Sequence, residues 1–393
     1  MRFAQRLNSI KPSLTLAVNA KAMELKAQGV KVTSLAIGEP DFPTPQHIKD
    51  AAKAAIDADF TKYTAVPGIP ELRTAVGAYM EREFGVAVPM ESVIVSVGGK
   101  HAGYNLMQAL LDPGDEVLIP SPYWLSYPPM VELADGVAVT VHAGADKGFK
   151  ITTAMLEEKV TPRTRMLIIN SPSNPTGAVY TQAELDAQVE WALGKGLVVV
   201  SDEIYEQLVF PPMERTSALK WFRDRPEQVV ILNGLSKTFA MTGWRVGYTI
   251  GHPDLVKKLS TLQGQSTSNI CSIAQKAALA ALTGPMDCVG VMRDAFARRR
   301  DIAMDRISKW PWAVCPKPDG AFYVFVDVHA CYGGKVKDSV EICSHLLEDA
   351  QVALTPGVAF GDDNCVRISY AVGDEVLKDA LEKVEKSLKA LAG

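Results

Sequence analysis

Between about Pro45 and Gly284, short β-branched apolar runs alternate with longer amphipathic stretches, and few architectures satisfy both periods at once. A run of four or five apolar residues with no polar alternation suits a strand covered on both faces. A helix-length stretch then returns the chain so that the next strand can lie parallel to the last. The expected product is a doubly wound, mainly parallel α/β sheet. Its strand candidates are 93–97, 116–119, 137–141, 166–169, 197–200, 229–232 and 246–250, with helical patterns such as 182–193 between them, where Leu185, Val189 and Ala192 recur at spacings of three and four.

The C-terminal part reads differently. Residues 292–307 form a long arginine-bearing helical pattern, 321–328 and 366–370 read as strands of a separate small sheet, and 376–391 place Leu377, Leu381, Val384, Leu388 and Leu391 on one helix face. Residues 16–25 have no sheet of their own and are expected to pack against this tail. The expected division is an N-terminal segment 1–44 joining a small α+β domain at 285–393, around a large domain at 45–284.

Several strand candidates end in polar side chains. The run 166–169 leads into Asn170 and Asn174, 197–200 into Asp202 and Tyr205, and 229–232 into Lys237, with Arg245 eight residues on. Open parallel sheets bind ligands outside the carboxyl ends of their strands, so these side chains are expected to face one crevice. A lysine delivered there by a buried strand is poised to hold an aldehyde cofactor. The run 93–97 ends in Gly98-Gly99-Lys100-His101 at a helix start, which suits a phosphate. Neither a Walker loop nor a Gly-x-Gly-x-x-Gly dinucleotide pattern occurs here.

Composition narrows the partners. With 393 residues, 47% of them hydrophobic, the chain can bury a sizeable core. A net charge of -4 leaves no basic excess for nucleic acid or anionic lipid. No run approaches membrane-spanning length and the first ten residues lack a secretory apolar core, so cytoplasm is the expected location. The six cysteines form no C-x-x-C pair and the six histidines no ligand cluster, so neither a disulfide scaffold nor a metal site is expected, and the thiols read as buried and structural. The triplet Arg298 to Arg300 reads as a solvated helix face, and His101 as structural.

Seven segments in order resemble class I aminotransferases of pyridoxal-phosphate fold type I, and within them the bacterial gamma-subgroup aspartate aminotransferases. They are Lys11-Pro-Ser13 with Ile37-Gly-Glu-Pro-Asp41, Lys62-Tyr63 through Gly68, Ser121-Pro-Tyr-Trp124, Asn170 through Gly177, Ser201 through Tyr205, Lys237 through Tyr248, and Val366 through Tyr370. The resemblance implies a large pyridoxal 5'-phosphate domain and a small domain built from both chain ends. It also implies a homodimer with its active sites at the interface, acting on amino acids and 2-keto acids.

Residue by residue, it implies that Lys237 joins the cofactor as a Schiff base and shuttles a proton, that Asp202 pairs with the ring nitrogen, and that Tyr205 and Asn174 donate to the phenolic oxygen. Trp124 and Ile204 would cover the two ring faces. Arg245, Gly99 and Lys100 would hold the phosphate, with Tyr63 reaching across from a second subunit. Arg367 and Gly38 would hold the substrate α-carboxylate. Acidic substrates are favoured through Lys100 and Thr15, since residues 259–275 lack the arginine that animal-type relatives use. Aromatic or prephenate-type acceptors, and a C–S lyase on the same fold, stay open. A cofactor-sensing regulator is disfavoured, because the roughly 40 residues before the large domain carry no helix-turn-helix pattern.

Overall fold

The structure is a computed structural model and describes residues 14–392 together with Met1, Phe3, Ala4 and Leu7; for 14–19, 26 and 392 it describes the backbone alone. Among the described residues the strands are, in chain order, β1 (Thr33–Ser34), β2 (Val93–Val97), β3 (Glu116–Ser121), β4 (Val137–His142), β5 (Thr164–Asn170), β6 (Val198–Asp202), β7 (Val229–Gly234), β8 (Val246–Ile250), β9 (Tyr323–Asp327), β10 (Val352–Ala353), β11 (Thr355–Pro356) and β12 (Cys365–Ser369). Seven of them form one sheet in the order β2-β8-β7-β6-β5-β3-β4. Only β8 runs against the others, since it pairs antiparallel with both β2 and β7.

Burial on both faces explains the unbroken apolar runs. Along β5, Leu167 and Ile169 enter one core cluster while Met166 and Ile168 enter another on the opposite face. Helices close both sides. One of them, Gln182–Gly194, starts at a capping box in which Thr181 and Glu184 each satisfy the other's backbone N–H.

The C-terminal part builds its own antiparallel sheet, β11-β12-β9, over a separate core cluster. The chain's beginning is stitched into it. β1 pairs parallel with β10, and the N–H groups of Leu35 and Ser369 donate to Ala353 and Leu35 carbonyls at 2.9 and 2.8 Å. The N-terminal region thus contributes a short strand to this part of the molecule, besides the helix Leu14–Ala27.

The structure corrects the reading of the arginine triplet. Arg298 is exposed, but Arg299 and Arg300 are only 6% and 5% exposed. Consecutive helical residues turn by about 100° each, so three in a row cannot share one solvated face. Arg299 donates to both carboxylate oxygens of Asp41 at 2.7 and 2.9 Å and to Asp374 at 3.2 Å. That pairing fixes residues 37–44 onto the helix Asp287–Ile307. Replacing Arg299 with alanine is expected to cost about 2 kcal/mol in a denaturant titration, below the 3–5 of a fully buried pair because both carboxylates keep some water.

The cysteines are also more varied than expected. Cys331, Cys343 and Cys365 are buried, Cys288 and Cys315 are partly so, and Cys271 is exposed. Cys271 immediately precedes the helix Ser272–Thr283. Among the described residues there is no group of side chains fit to hold a metal ion, and no helix is long and apolar enough to cross a membrane.

Candidate active site

The carboxyl ends of β5, β6 and β7 open on one cavity of about 410 Å³, into which loops from both parts of the molecule project. Because β8 is reversed, its N-terminal end also lies at this edge and delivers Arg245. β2 points the same way as β7 and feeds straight into the helix Gly98–Leu110. Gly38, Gly99, Lys100, Trp124, Asn174, Asp202, Tyr205, Lys237, Arg245 and Arg367 all line this cavity, as does Ile204. Two candidates are not among its lining residues. Tyr63 is 92% exposed elsewhere on the surface, and the side chain of Thr15 lies outside the described residues, as do Lys11, Pro12 and Ser13.

Lys237 follows β7 by three residues. Its Nζ donates to the Gly38 carbonyl at 2.6 Å. Burial brings its ammonium down to about 8, against the pull of Glu39 and with help from the Arg367 and Arg245 charges. A lysine so placed is partly neutral near physiological pH, which a nucleophilic amine requires.

Asp202 closes β6 and is buried. Its carboxylate accepts from the Tyr127 hydroxyl at 2.5 Å and from the Ile204 N–H at 3.1 Å. Burial still pushes its carboxyl up to about 6, with those two donors pulling the other way. Among the described residues this buried carboxylate has no cationic partner, and a cation entering the cavity would supply one. Asn170 braces the same corner, donating from its amide to the Asp202 carbonyl and accepting from the Asn174 N–H, both at 3.0 Å.

Arg367 reaches the cavity from β12. Its guanidinium donates to Asn174 Oδ1 at 2.9 Å and to the Ala36 carbonyl at 2.7 Å, while its buried Nε has no partner among the described residues. Asn174, held by its oxygen, keeps its amide N–H groups for the cavity. An arginine with donor capacity in reserve at a cavity wall suits a carboxylate.

At the other end, Arg245 packs against the start of the helix Gly98–Leu110. A Cβ on Gly98 would lie 2.7 Å from the Arg245 guanidinium, and Gly98 has φ +79°, so both space and backbone demand glycine. The guanidinium and the backbone N–H groups of Gly99 and Lys100 at the helix N-terminus together suit an anion. Lys100 Nζ sits 5.3 Å from the Trp124 ring centroid, and desolvation together with the Arg245 charge lowers its ammonium from the ordinary lysine value. His101 turns away, its Nδ1 accepting from the Val97 N–H, as a structural role requires.

Reading along the sequence passes over Tyr127 and Tyr323. Tyr127 sits three residues past Trp124, and Tyr323 lies inside the apolar start of β9. The only signal for either is a phenol in a segment whose neighbours are buried, where its hydroxyl needs a partner.

These features fit pyridoxal 5'-phosphate point by point. The depressed lysine suits its aldehyde, the uncompensated carboxylate its ring nitrogen, and the helix start with its guanidinium its phosphate. Comparison with known proteins agrees. The family model for aminotransferase class I and II matches residues 30–384. The chain is 48% identical over 386 residues to the aspartate/prephenate aminotransferase of Cereibacter sphaeroides, covering 96% of each chain. It is 47% identical over 395 residues to the aspartate aminotransferase of Geobacillus stearothermophilus, covering 100% of each. Among solved structures, the aspartate aminotransferase of Thermus thermophilus with maleate superposes with a TM-score of 0.93 at 44% identity, over 98% of this chain and 100% of that one. That of Rhizobium meliloti gives 0.95 at 39% identity, over 99% of both. A cavity whose lysine, carboxylate and anion-binding helix start fit an aldehyde cofactor, on a chain matched nearly end to end, accords with what the comparisons show: the protein belongs to the class I and II aminotransferases, with pyridoxal 5'-phosphate as its cofactor.

Proposed function

We propose that the enzyme moves the amino group of L-aspartate to 2-oxoglutarate, giving oxaloacetate and L-glutamate in two half-reactions. The observation that carries the acidic preference is the pair of cationic ends in one cavity, Arg367 at one wall and Lys100 beside Trp124 at another. One relative was solved with maleate, a dicarboxylate, which supports the same reading. A dual activity on prephenate is the second reading, favoured by the name of the Cereibacter sphaeroides relative.

Bound in the cavity, the cofactor supplies an aldehyde to carry the amino group and a ring that draws electrons from the substrate α-carbon. The remaining work falls to this chain. Lys237 Nζ would hold the cofactor and, once released, carry a proton between the substrate α-carbon and the carbon of the cofactor's aldehyde group. The Asp202 carboxylate keeps the ring nitrogen protonated, held in aim by Tyr127. Tyr205 and Asn174 donate to the phenolic oxygen. Trp124 and Ile204 cover the ring faces, while the Arg245 guanidinium and the backbone N–H groups of Gly99 and Lys100 hold the phosphate. Arg367, with Gly38 beside it, grips the α-carboxylate, and a two-pronged grip fixes which α-carbon bond stands perpendicular to the ring. Thr15 is assigned a supporting part in selecting the distal carboxylate.

Tyr63, almost fully exposed in a single chain, is assigned to the phosphate of a second subunit in a homodimer. Residues 45–284 are assigned to the cofactor domain and 1–44 with 285–393 to the second, a division supported by the pairing of β1 with β10 and by the separate sheets, while Tyr205, Leu208 and Phe210 pack into the core of the second part where the two meet. The cytoplasm is the assigned location.

The test is a single half-reaction. The yellow cofactor-loaded protein, mixed with one amino acid and no keto acid, should lose its visible band quickly with aspartate or glutamate and far more slowly with alanine or phenylalanine. In Lys100→Ala the aspartate-over-alanine preference should fall by ~10-fold or more, the worth of one charge-assisted hydrogen bond. An unchanged preference would remove Lys100 from substrate selection, and faster bleaching with aromatic donors would overturn the acidic assignment.

A further inference from the structure

Tyr205 and Tyr323 bring their hydroxyls to 2.8 Å from each other in a buried position, where either could be the donor. Their rings meet edge to face, with centroids 5.9 Å apart. Only Tyr205 borders the cavity; Tyr323 stands behind it. Among the described residues Tyr205 is the one hydrogen-bond partner of the Tyr323 hydroxyl. The guanidinium carbon of Arg367 lies 4.6 Å from the Tyr323 ring centroid, and a Cβ on Gly38 would come within 2.9 Å of its hydroxyl. The phenol is therefore fully buried, with its hydroxyl turned to Tyr205.

A hydroxyl owns one proton and two acceptor lone pairs. When an anionic oxygen in the cavity takes the Tyr205 proton, Tyr205 can meet Tyr323 only as an acceptor, so Tyr323 must be the donor. Donation into a hydroxyl strengthens the bond that hydroxyl gives, because chained hydrogen bonds polarise one another. The low dielectric of a buried site strengthens the bond and raises the Tyr323 phenol so that it keeps its proton to donate, with the Arg367 cation pulling partly the other way.

We propose that Tyr323 is a positioning residue that donates its hydroxyl proton to Tyr205 Oη and so commits the single Tyr205 proton to the phenolic oxygen of the cofactor. This rests on the aminotransferase reading above. Tyr323 touches neither cofactor nor substrate in this account and acts entirely through Tyr205. Its place beside Arg367 puts the residue that tunes the cofactor and the residue that grips the substrate carboxylate on two sides of one phenol. A purely space-filling role, as one ring of the aromatic cluster with Phe322, would need no hydroxyl at all.

Tyr323→Phe separates the two roles, since it removes the hydroxyl and keeps the ring. The readout is the pH midpoint of the visible absorption change of the cofactor-loaded protein. A weaker donor at the phenolic oxygen leaves the neighbouring lysine-linked nitrogen more basic, so the midpoint should rise by ~0.3 unit or more, the size of a cooperative contribution to one strong hydrogen bond. Introduced into Tyr205→Phe, the same substitution should add no shift, because the route runs through Tyr205. An unchanged midpoint in Tyr323→Phe, or an equal shift that persists without the Tyr205 hydroxyl, would overturn the proposal. A wild-type protein with no pH-dependent visible band would instead overturn the aminotransferase reading and the proposal with it.

Discussion

Replacing Lys237 with alanine is expected to slow turnover by at least ~10²-fold, the lower end for losing a positioned acid/base, and to abolish covalent retention of the cofactor. The two effects have one cause. The Lys237 amine is held down to about 8 by burial and is aimed across the cavity, where it bonds the Gly38 carbonyl at 2.6 Å. Lys100 stands in the same cavity, but on its exposed side and beside Trp124, so it offers no substitute amine at that position. Steady-state turnover with aspartate and 2-oxoglutarate checks the rate, and gel filtration of the loaded variant checks retention. Full activity in Lys237→Ala would end the account.

Asp202→Asn should separate activity from stability. Removing the carboxylate proposed to face the ring nitrogen is expected to lower turnover by ~10²–10³-fold, the usual scale for losing one aimed electrostatic contact. Stability of the cofactor-free protein should move the other way. Asp202 has a folded-state value raised from 3.8 to about 6 by burial, so the folded chain binds that proton more tightly than the unfolded chain does. The stabilisation this gives is complete below the unfolded value near 4 and is lost as pH rises through about 6. At pH 7 the wild-type protein therefore carries the full cost of a buried, unpaired carboxylate. Asparagine carries no charge there, and the Tyr127 hydroxyl can turn to accept from its amide. The cofactor-free variant should melt no lower than wild type at pH 7 and lose that advantage at pH 4. A variant that is both inactive and clearly less stable at pH 7 would mean that Asp202 serves the fold.

How much of this was legible in the sequence depended on how far the determining contact lies along the chain. β2 and β8 fall where the apolar runs place them, because a strand buried on both faces declares itself locally. The polar residues that end β5, β6 and β7 were legible for the same reason, since strand direction alone sends them to one edge. Thr355–Pro356 was not, because a two-residue strand has no period and exists only through its pairing with β12. Arg299 was misread because its partner Asp41 is 258 positions away and nothing near Arg299 announces it. Tyr323 was missed on the same ground. Its hydroxyl meets Tyr205 118 positions away, and within its own strand it looks like one more apolar residue.

The most direct test of the central claim is to find where the cofactor is attached. The loaded protein is treated with borohydride, digested, and its peptides are mapped by mass spectrometry. The account predicts a single reduced cofactor adduct on the Lys237 side chain, lost when the protein is first converted with aspartate. An adduct on another lysine, or none in protein that binds the cofactor stoichiometrically, would contradict it.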